Sequence, residues 1–271
     1  MRLFRLFPIL GLLPLLAACS SDKEDKIDTR PPEQIYAEAN DQLSQRLFKT
    51  SAESFQQIEK LYPYSDYATH AQMLAAYAFY KDGKYDDAII TLERFMKLHP
   101  AHKDIPYAYY MRAICYYEQI TDIQRDQKIT EEALNSLREV VQRFPDTSYA
   151  KDARIKIDLT QDHLAGKQLE IGRFYQSRGE YVAAINRFRD VIERYQTTSQ
   201  VPEALHRLVE TYLTLGVMAE AQKYASVLGY NYPDSVWYKR SYKLLGDNAP
   251  KPAAEPAAAP APEDSKLLGI F

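Results

Sequence analysis

Small and large apolar residues recur through the middle of the chain at a step of 37 residues, as from Ala39 to Ala76 to Ala113. In most recurrences an aromatic residue lies three positions after this first small residue. A second small residue follows further along in each recurrence, and apolar residues lie four and seven positions after that second one. Those second small residues are Ser51, Ala88, Ala133, Ala184 and Ala221. Because positions three, four and seven apart share one face of a helix, each recurrence predicts two helices packed through that face.

Proline and glycine fall between the predicted helices. Proline closes four recurrences, at Pro63, Pro100, Pro145 and Pro233. Gln196 occupies the equivalent place in the other recurrence. The turn inside a pair favours glycine because its backbone is left-handed, and three of these turns hold Gly83, Gly179 and Gly216. The pattern resembles the tetratricopeptide repeat and predicts an all-α protein, a superhelical solenoid of five tetratricopeptide-like helix pairs with a concave binding face.

Two recurrences are lengthened, by about eight residues around Thr121–Lys128 and by about fourteen after Pro145. Apolar residues at helical spacing predict one or two long helices over 148–178. Alanine and proline dominate 249–262, which predicts an extended, disordered tail. The expected order is a signal peptide (1–18), a lipidated tether (19–32), repeats 1–3 (33–147), a connecting helix with repeats 4 and 5 (148–246), and the Ala/Pro-rich tail (247–271).

The first residues have the composition of a bacterial export signal. Arg2 and Arg5 precede an apolar run that is too short to span a bilayer comfortably. Leu16-Ala17-Ala18-Cys19 follows and resembles a lipobox, which implies cleavage before Cys19, S-diacylglycerol on its sulfur and an N-acyl chain on its amine. An ordinary signal peptide with an incidental cysteine is the alternative. Ser20, where the sorting pattern would otherwise have Asp, favours the outer membrane.

Composition and motifs indicate binding rather than catalysis. A formal charge of -3 excludes a strongly basic nucleic-acid binder. Cys115 is left without an intrachain partner and is expected to pack in the core. His99 and His102 have a spacing that could suggest a metal, but they lie in a predicted turn with no nearby cysteine. We find no nucleophile with its base and no phosphate loop, and we expect no catalytic residue, no metal and no cofactor beyond the lipid.

Several strings in order resemble the BamD/ComL family of outer-membrane assembly lipoproteins. The first three of these strings are Pro31-Pro32-Glu33-Gln34-Ile35-Tyr36-Ala37, Leu61-Tyr62-Pro63-Tyr64-Ser65-Asp66-Tyr67 and Ala76-Tyr77-Ala78-Phe79-Tyr80-Lys81. The resemblance covers about residues 16–245. It implies a non-catalytic, lipid-anchored component of the β-barrel assembly machinery on the periplasmic face of the outer membrane.

The partners implied by the resemblance are an Omp85-type β-barrel assembly protein, other assembly lipoproteins and unfolded outer membrane β-barrel proteins, with no nucleic acid. The alternative is a periplasmic repeat lipoprotein that acts as an adaptor for peptidoglycan enzymes or proteases. Such an adaptor would have the same fold and differ only in what it binds.

Two groups of side chains are candidates for these contacts. Tyrosine presents an apolar ring with a wet hydroxyl, which suits loose binding of unfolded chains. The candidate substrate groove contains Tyr62, Tyr67 and Tyr107. The candidate partner-binding residues lie off the apolar stripe of the helix 181–195 and are Asn186, Arg187 and Arg194. Packing between repeats is the alternative for the tyrosines, and a solvated charged face is the alternative for the second group.

The lipid anchor predicts the behaviour of one variant. Cys19→Ala should leave the repeats folded, because the anchor lies outside the solenoid, and should release the protein into the periplasm. Membrane fractionation after a high-salt wash measures this. A variant that stays wholly with the membranes would mean that a protein contact, and not the lipid, retains the chain.

Overall fold

The computed structural model describes residues 29–120 and 127–250. Within them all regular structure is helical, with eleven α-helices and a terminal 3-10 turn, Gly246–Asn248. The helices are α1 Pro32–Ser44, α2 Phe48–Leu61, α3 Asp66–Lys81, α4 Tyr85–Leu98, α5 Ile105–Glu118, α6 Lys128–Arg143, α7 Ser148–Ser177, α8 Tyr181–Arg194, α9 Val201–Thr214, α10 Met218–Asn231 and α11 Val236–Leu245. The signal peptide, Cys19, residues 121–126 and the tail from residue 251 lie outside the described residues.

Contacts within the chain divide it after Pro31, and the helices belong to the unit that begins at Pro32. Helices α1 to α10 form five antiparallel pairs stacked in chain order, which confirms the predicted solenoid. Each odd-numbered helix also contacts the next odd-numbered helix, from α1 through to α11. The odd-numbered helices therefore lie where the repeats converge, and they form the inner side of the stack. Helix α11, which the sequence pattern did not predict, packs on α9 and α10 and closes the C-terminal end.

The predicted small residues allow the paired helices to approach closely. All five second small residues, from Ser51 to Ala221, are fully buried, and so are the residues four and seven positions after each of them. The first repeat departs from the pattern with a serine and a glutamine, and both find partners. The Ser51 hydroxyl donates to the Ala39 carbonyl at 2.8 Å. The Ser54 hydroxyl donates to Oε1 of Gln42 at 2.9 Å, so neither polar side chain lacks a partner.

The turns between repeats keep one geometry whether or not proline is present. In each of the five, an N–H bonds the carbonyl four residues earlier, as Tyr62 N does to Ile58 O at 2.8 Å. The Gln196 turn has the same bond, from Tyr195 N to Val191 O at 3.0 Å. Proline at this place presets the backbone but supplies no hydrogen bond, so its loss leaves the turn intact.

The segment 148–177 forms the single long helix α7, whose two halves pack on different repeats. At its start the side-chain oxygen of Thr147 accepts from the Ala150 N–H at 3.2 Å, an N-cap. Ala153 then packs in a cluster with buried residues of α5 and α6. Leu164 and Leu169 pack in a second cluster with α8 and α9. One continuous helix therefore spans the place where the fourteen extra residues interrupt the repeat.

Gly172 on α7 provides a test of this packing. A Cβ added there would overlap the ring of Phe188, which is fully buried in the partner helix. Gly172→Ala should therefore lower the free energy of unfolding by about 1–3 kcal/mol through overpacking. Denaturant unfolding followed by circular dichroism measures this, with Asp158→Ala on the exposed side of the same helix as the control. Equal stability of the two variants would contradict the close approach of α7 and α8.

Candidate functional site

Aromatic pairs join consecutive inner helices at three places in the stack. The ring centroids are 5.2 Å apart for Tyr36 and Tyr67, 5.1 Å for Tyr110 and Tyr149, and 5.1 Å for His206 and Trp237. The three pairs are equivalent to one another, because the first member of each lies three positions before the first small residue of its repeat. The second member follows 31 residues later, or 39 residues later in the pair that spans the insertion near residue 121. Aromatic pairs at this distance add stabilisation beyond their buried area, so they help to fix each inner helix against the next.

Tyrosines gather on the inner side of the N-terminal half around α3, α5 and the start of α7. We call Tyr77, Tyr80, Tyr107, Tyr110 and Tyr149 the tyrosine cluster. Tyr149 lies against both Tyr107, at 5.7 Å, and Tyr110, at 5.1 Å between ring centroids. Burial, followed by the nearby hydroxyls of Tyr77 and Tyr149, raises the pKa of Tyr107 to about 12. Tyr107 therefore stays neutral over the physiological pH range and presents its ring and hydroxyl without charge.

One hydrogen bond fixes Tyr110, the cluster member on α5, to α7. The Tyr110 hydroxyl donates to Oδ2 of Asp152 at 2.6 Å, and Lys156 forms an ion pair with the same carboxylate at 3.0 Å. Burial alone would raise the pKa of Asp152, but these two partners outweigh it and lower that pKa. The carboxylate stays ionised and holds the phenol in one orientation.

The three predicted groove tyrosines are all partly buried, and they do not form one contiguous group. Tyr67 on α3 packs on Tyr36, and Tyr62, in the turn before α3, packs against the same small core cluster. Tyr107 lies on α5 inside the tyrosine cluster. Part of each ring thus stabilises the stack, and the remaining exposed edge is what a ligand could contact.

The inner side of the C-terminal half is polar. We call His206, Arg207, Glu210, Trp237 and Ser241 the histidine–tryptophan network. Buried His206 on α9 shares a hydrogen bond with the Ser241 hydroxyl at 2.8 Å through Nδ1, and its Nε2 lies 3.3 Å from Glu210. Arg207 forms an ion pair with Glu210 at 2.9 Å and lies over the Trp237 ring at 5.7 Å. The network joins α9 to the terminal helix α11. The repeat pattern does not predict it, because Trp237 lies beyond Pro233, the last position that matches the repeat.

The predicted partner residues lie on α8, an outer helix, and the structure does not bring them into one cavity. The Arg187 guanidinium donates to Oε1 of Gln168 on α7 at 3.1 Å. It lines a cavity of about 510 Å³ with Phe174, among other residues. Arg194 lines a separate cleft of about 450 Å³ between α6 and α8. Asn186 is exposed.

Three other kinds of functional feature bear on the described residues: a metal site, a reactive cysteine and a membrane-spanning helix. Among residues 29–120 and 127–250, no group of three or more histidine, cysteine or acidic side chains could hold a metal. Burial raises the pKa of the Cys115 thiol to about 12, which makes it an unreactive core residue at neutral pH. No helix in the described part of the chain is long and apolar enough to cross a membrane.

These features define a class of protein, a tetratricopeptide-like scaffold whose candidate surfaces are lined by aromatic and charged side chains. A family model described as an outer membrane lipoprotein, YfiO, matches residues 28–228. The chain therefore belongs to the YfiO family of outer membrane lipoproteins, which confirms the BamD/ComL resemblance.

Named relatives agree with this assignment. The protein named outer membrane protein assembly factor BamD from Caulobacter vibrioides is 44% identical and covers 96% of this chain and 88% of its own. The BamD of Rickettsia prowazekii is 43% identical and covers 90% and 98% respectively. A tetratricopeptide domain of yeast Sti1 covers 79% of this chain and 84% of its own at 14% identity, with a TM-score of 0.40 that carries no further argument.

The histidine–tryptophan network predicts a pH-dependent stability. Burial opposes ionisation of Glu210, but the hydrogen bond and charge of His206, with Arg207, lower its pKa to about 2 from an ordinary value of 4.5. A lowered folded-state pKa stabilises the protein above the unfolded pKa, and that contribution is lost as the pH falls toward 2. It amounts to at most about 3 kcal/mol at pH 7 and about 1 kcal/mol at pH 3.

Glu210→Gln should therefore cost most at pH 7 and much less at pH 3, as measured by urea unfolding at both values. Glu193→Gln, in the exposed pair of Glu193 with Arg189 on α8, is the control and should change stability little at either pH. A cost for Glu210→Gln that is independent of pH would contradict a carboxylate held ionised by its neighbours.

Proposed function

We propose that this chain is a lipid-anchored periplasmic scaffold of the β-barrel assembly machinery, which assists assembly and insertion of β-barrel proteins into the outer membrane. The observation that carries the proposal is membership of a family whose relatives, at up to 44% identity over nearly the whole chain, are named outer membrane protein assembly factors. The all-helical stack supports it, since solenoids present extended surfaces for binding.

The proposal includes a lipid anchor and a role that is not catalytic. Cys19 carries S-diacylglycerol and an N-acyl chain, and these hold the protein at the periplasmic face of the outer membrane, since two or more chains anchor stably. The scaffold needs no cofactor besides this lipid and catalyses no reaction. Its contribution is to bring binding partners together.

In this proposal the inner side of the N-terminal half receives unfolded barrel proteins. Those chains carry alternating aromatic and aliphatic side chains, so the receiving surface must contact apolar groups of many shapes without binding them too tightly. The tyrosine cluster supports this role because its rings are neutral, partly exposed and held by neighbours such as Tyr149. Tyr62, Tyr67 and Tyr107 are the side chains that we assign to the substrate contact.

The edge of α8 that borders α6 and α7 binds the Omp85-type barrel partner, and other assembly lipoproteins join the same complex. Asn186, Arg187 and Arg194 are the residues that we assign to this contact. The support is chemical: a guanidinium forms bidentate bonds to carboxylates and is enriched in interface centres. Arg187 borders a cavity beside Phe174, whose side chain is 51% exposed, so an apolar group and a cation are available side by side.

Paired variants test this division between two surfaces. Arg187→Glu should reduce co-purification of the barrel partner by at least about tenfold, because it reverses a contact charge, and should leave crosslinking to substrate peptides unchanged. Tyr62→Ala should have the opposite pattern. Arg189→Glu, the same charge change on α8, and Tyr230→Ala, which removes a tyrosine ring 72% exposed on α10, are the controls.

The readouts are recovery of the partner on an affinity resin and photo-crosslinking to unfolded barrel segments, with helicity checked by circular dichroism. Loss of the same ligand in both variants would mean that the two surfaces are one. Normal binding of both ligands by both variants would contradict the assignment of these residues.

A further inference from the structure

Arg46 occupies a backbone position that the other repeats give to glycine. Its φ is 62°, and it is the non-glycine residue with positive φ among the described residues. The equivalent turns hold Gly83, Gly179 and Gly216, with φ of 73°, 76° and 74°. A side chain at such a φ is strained whatever the space around it.

Hydrogen bonds establish that the four turns are the same motif. Arg46 N bonds Leu43 O at 3.1 Å and Leu47 N bonds Gln42 O at 2.9 Å. The Gly83 turn has the same two bonds, from Gly83 N at 3.1 Å and from Lys84 N at 2.9 Å. This is the Schellman pattern, which glycine usually completes. The first repeat therefore tolerates strain that a single change to glycine would remove, and strain retained at a surface turn points to a use for the side chain.

The Arg46 side chain borders a groove of about 670 Å³ between α1 and the end of α3. Leu43, Phe48 and Tyr77 supply its apolar lining, and Lys81 is its second cation. Two neutral polar residues, Asn40 and Ser44, complete the lining that the described residues supply, and no acidic side chain is among them.

In the part of the chain that the structure describes, neither cation of the groove is neutralised by a carboxylate. Among the described residues, Arg46 forms no ion pair, and Lys81 lies over the rings of Tyr77 and Tyr80 at 5.5 and 5.7 Å from their centroids. Tyr77 belongs to the tyrosine cluster, so the groove continues the proposed substrate surface toward the first repeat. A cavity with two cations, no acid and an apolar lining complements a ligand that carries a carboxylate beside an apolar group.

We propose that this groove binds an extended segment of the client chain in which an aspartate or glutamate lies next to an aromatic or aliphatic side chain. Arg46 is the specificity-determining residue, because its guanidinium bonds the carboxylate while the neighbouring side chain packs on Phe48 and Tyr77. The inference rests on the proposed function and deepens it, by naming the chemistry read at the first repeat. It gives a reason for an arginine at a position where glycine would adopt the positive φ without strain.

The test uses the full chain and a fluorescein-labelled ten-residue peptide with Glu-Phe and Asp-Tyr pairs, compared with the same peptide carrying Gln-Phe and Asn-Tyr. Fluorescence anisotropy gives the dissociation constants. The acidic peptide should bind at least about tenfold more tightly than the neutral one, and Arg46→Gly should remove that preference. Arg46→Lys should retain part of it, and Lys49→Ala, which removes an exposed cation of α2 outside the groove, should change nothing.

Thermal unfolding supplies the second readout. Because Arg46→Gly relieves the strained backbone, it should raise the melting temperature by about 2–4 °C while it weakens binding. A gain in stability with unchanged binding would overturn the proposal, and so would a melting temperature that does not rise. Equal affinity for the two peptides would also overturn it, whereas the proposed function would stand as long as Tyr62→Ala still reduced crosslinking to barrel segments.

A third peptide, residues 263–271 of this chain, tests whether the groove binds the protein's own C-terminal segment instead of a client segment. It carries Glu263 and Asp264 ahead of apolar residues. If it bound the groove ten times more tightly than the acidic probe, the groove would serve the protein's own tail, and the assignment to a client segment would be overturned.

Discussion

The close approach of two helices through a small residue is the constraint on which this structure depends. Ser51, Ala88, Ala133, Ala184 and Ala221 are fully buried at the centre of the five pairs. A larger side chain there would separate the helices and leave the apolar residues on either side without a partner. Because each pair buries only part of its apolar surface, it must stack on the next pair, and the stack creates an inner side built from the odd-numbered helices.

The repeat was predictable from the sequence because its signal is periodic and local. Small residues, their apolar followers and the turn glycines all lie where the spacing predicted. Helix α11 was not predicted, since it has no second helix and so matches only part of a repeat. The contact of His206 with Trp237 was equally hidden, because it depends on which helices are inner, and that follows from the stacking and not from any one helix.

The candidate site was only partly predictable, for a physical reason. A tyrosine can pack, bind or do both, and the sequence does not separate these roles. The structure places Tyr67 and Tyr107 on inner helices, where one edge of each ring packs on a neighbouring tyrosine. Arg187 and Arg194 lie on an outer helix and border different cavities, which one helical projection could not reveal. The arginine at position 46 does not by itself indicate a positive φ. The only sequence clue is that this position is equivalent to the turn glycines of the other repeats.

The two halves of the stack differ in chemistry, although they share one backbone plan. The N-terminal half presents neutral rings on its inner side, and the C-terminal half uses that side for the histidine–tryptophan network. A solenoid allows this, since each repeat contacts mainly its neighbours, and the surface of one half can change without disturbing the other. The long helix α7 keeps the halves in one continuous stack, which suits a scaffold that brings two different ligands together.

Affinity purification of the full, lipidated chain from detergent-solubilised outer membranes tests the central claim most directly. The proteins that are retained can be identified by mass spectrometry, with the Cys19→Ala form as a comparison for anchor-dependent recovery. Our account predicts that an Omp85-type β-barrel assembly protein is recovered in near-stoichiometric amount. Recovery of peptidoglycan enzymes or proteases without that barrel protein would contradict it and would favour the adaptor alternative.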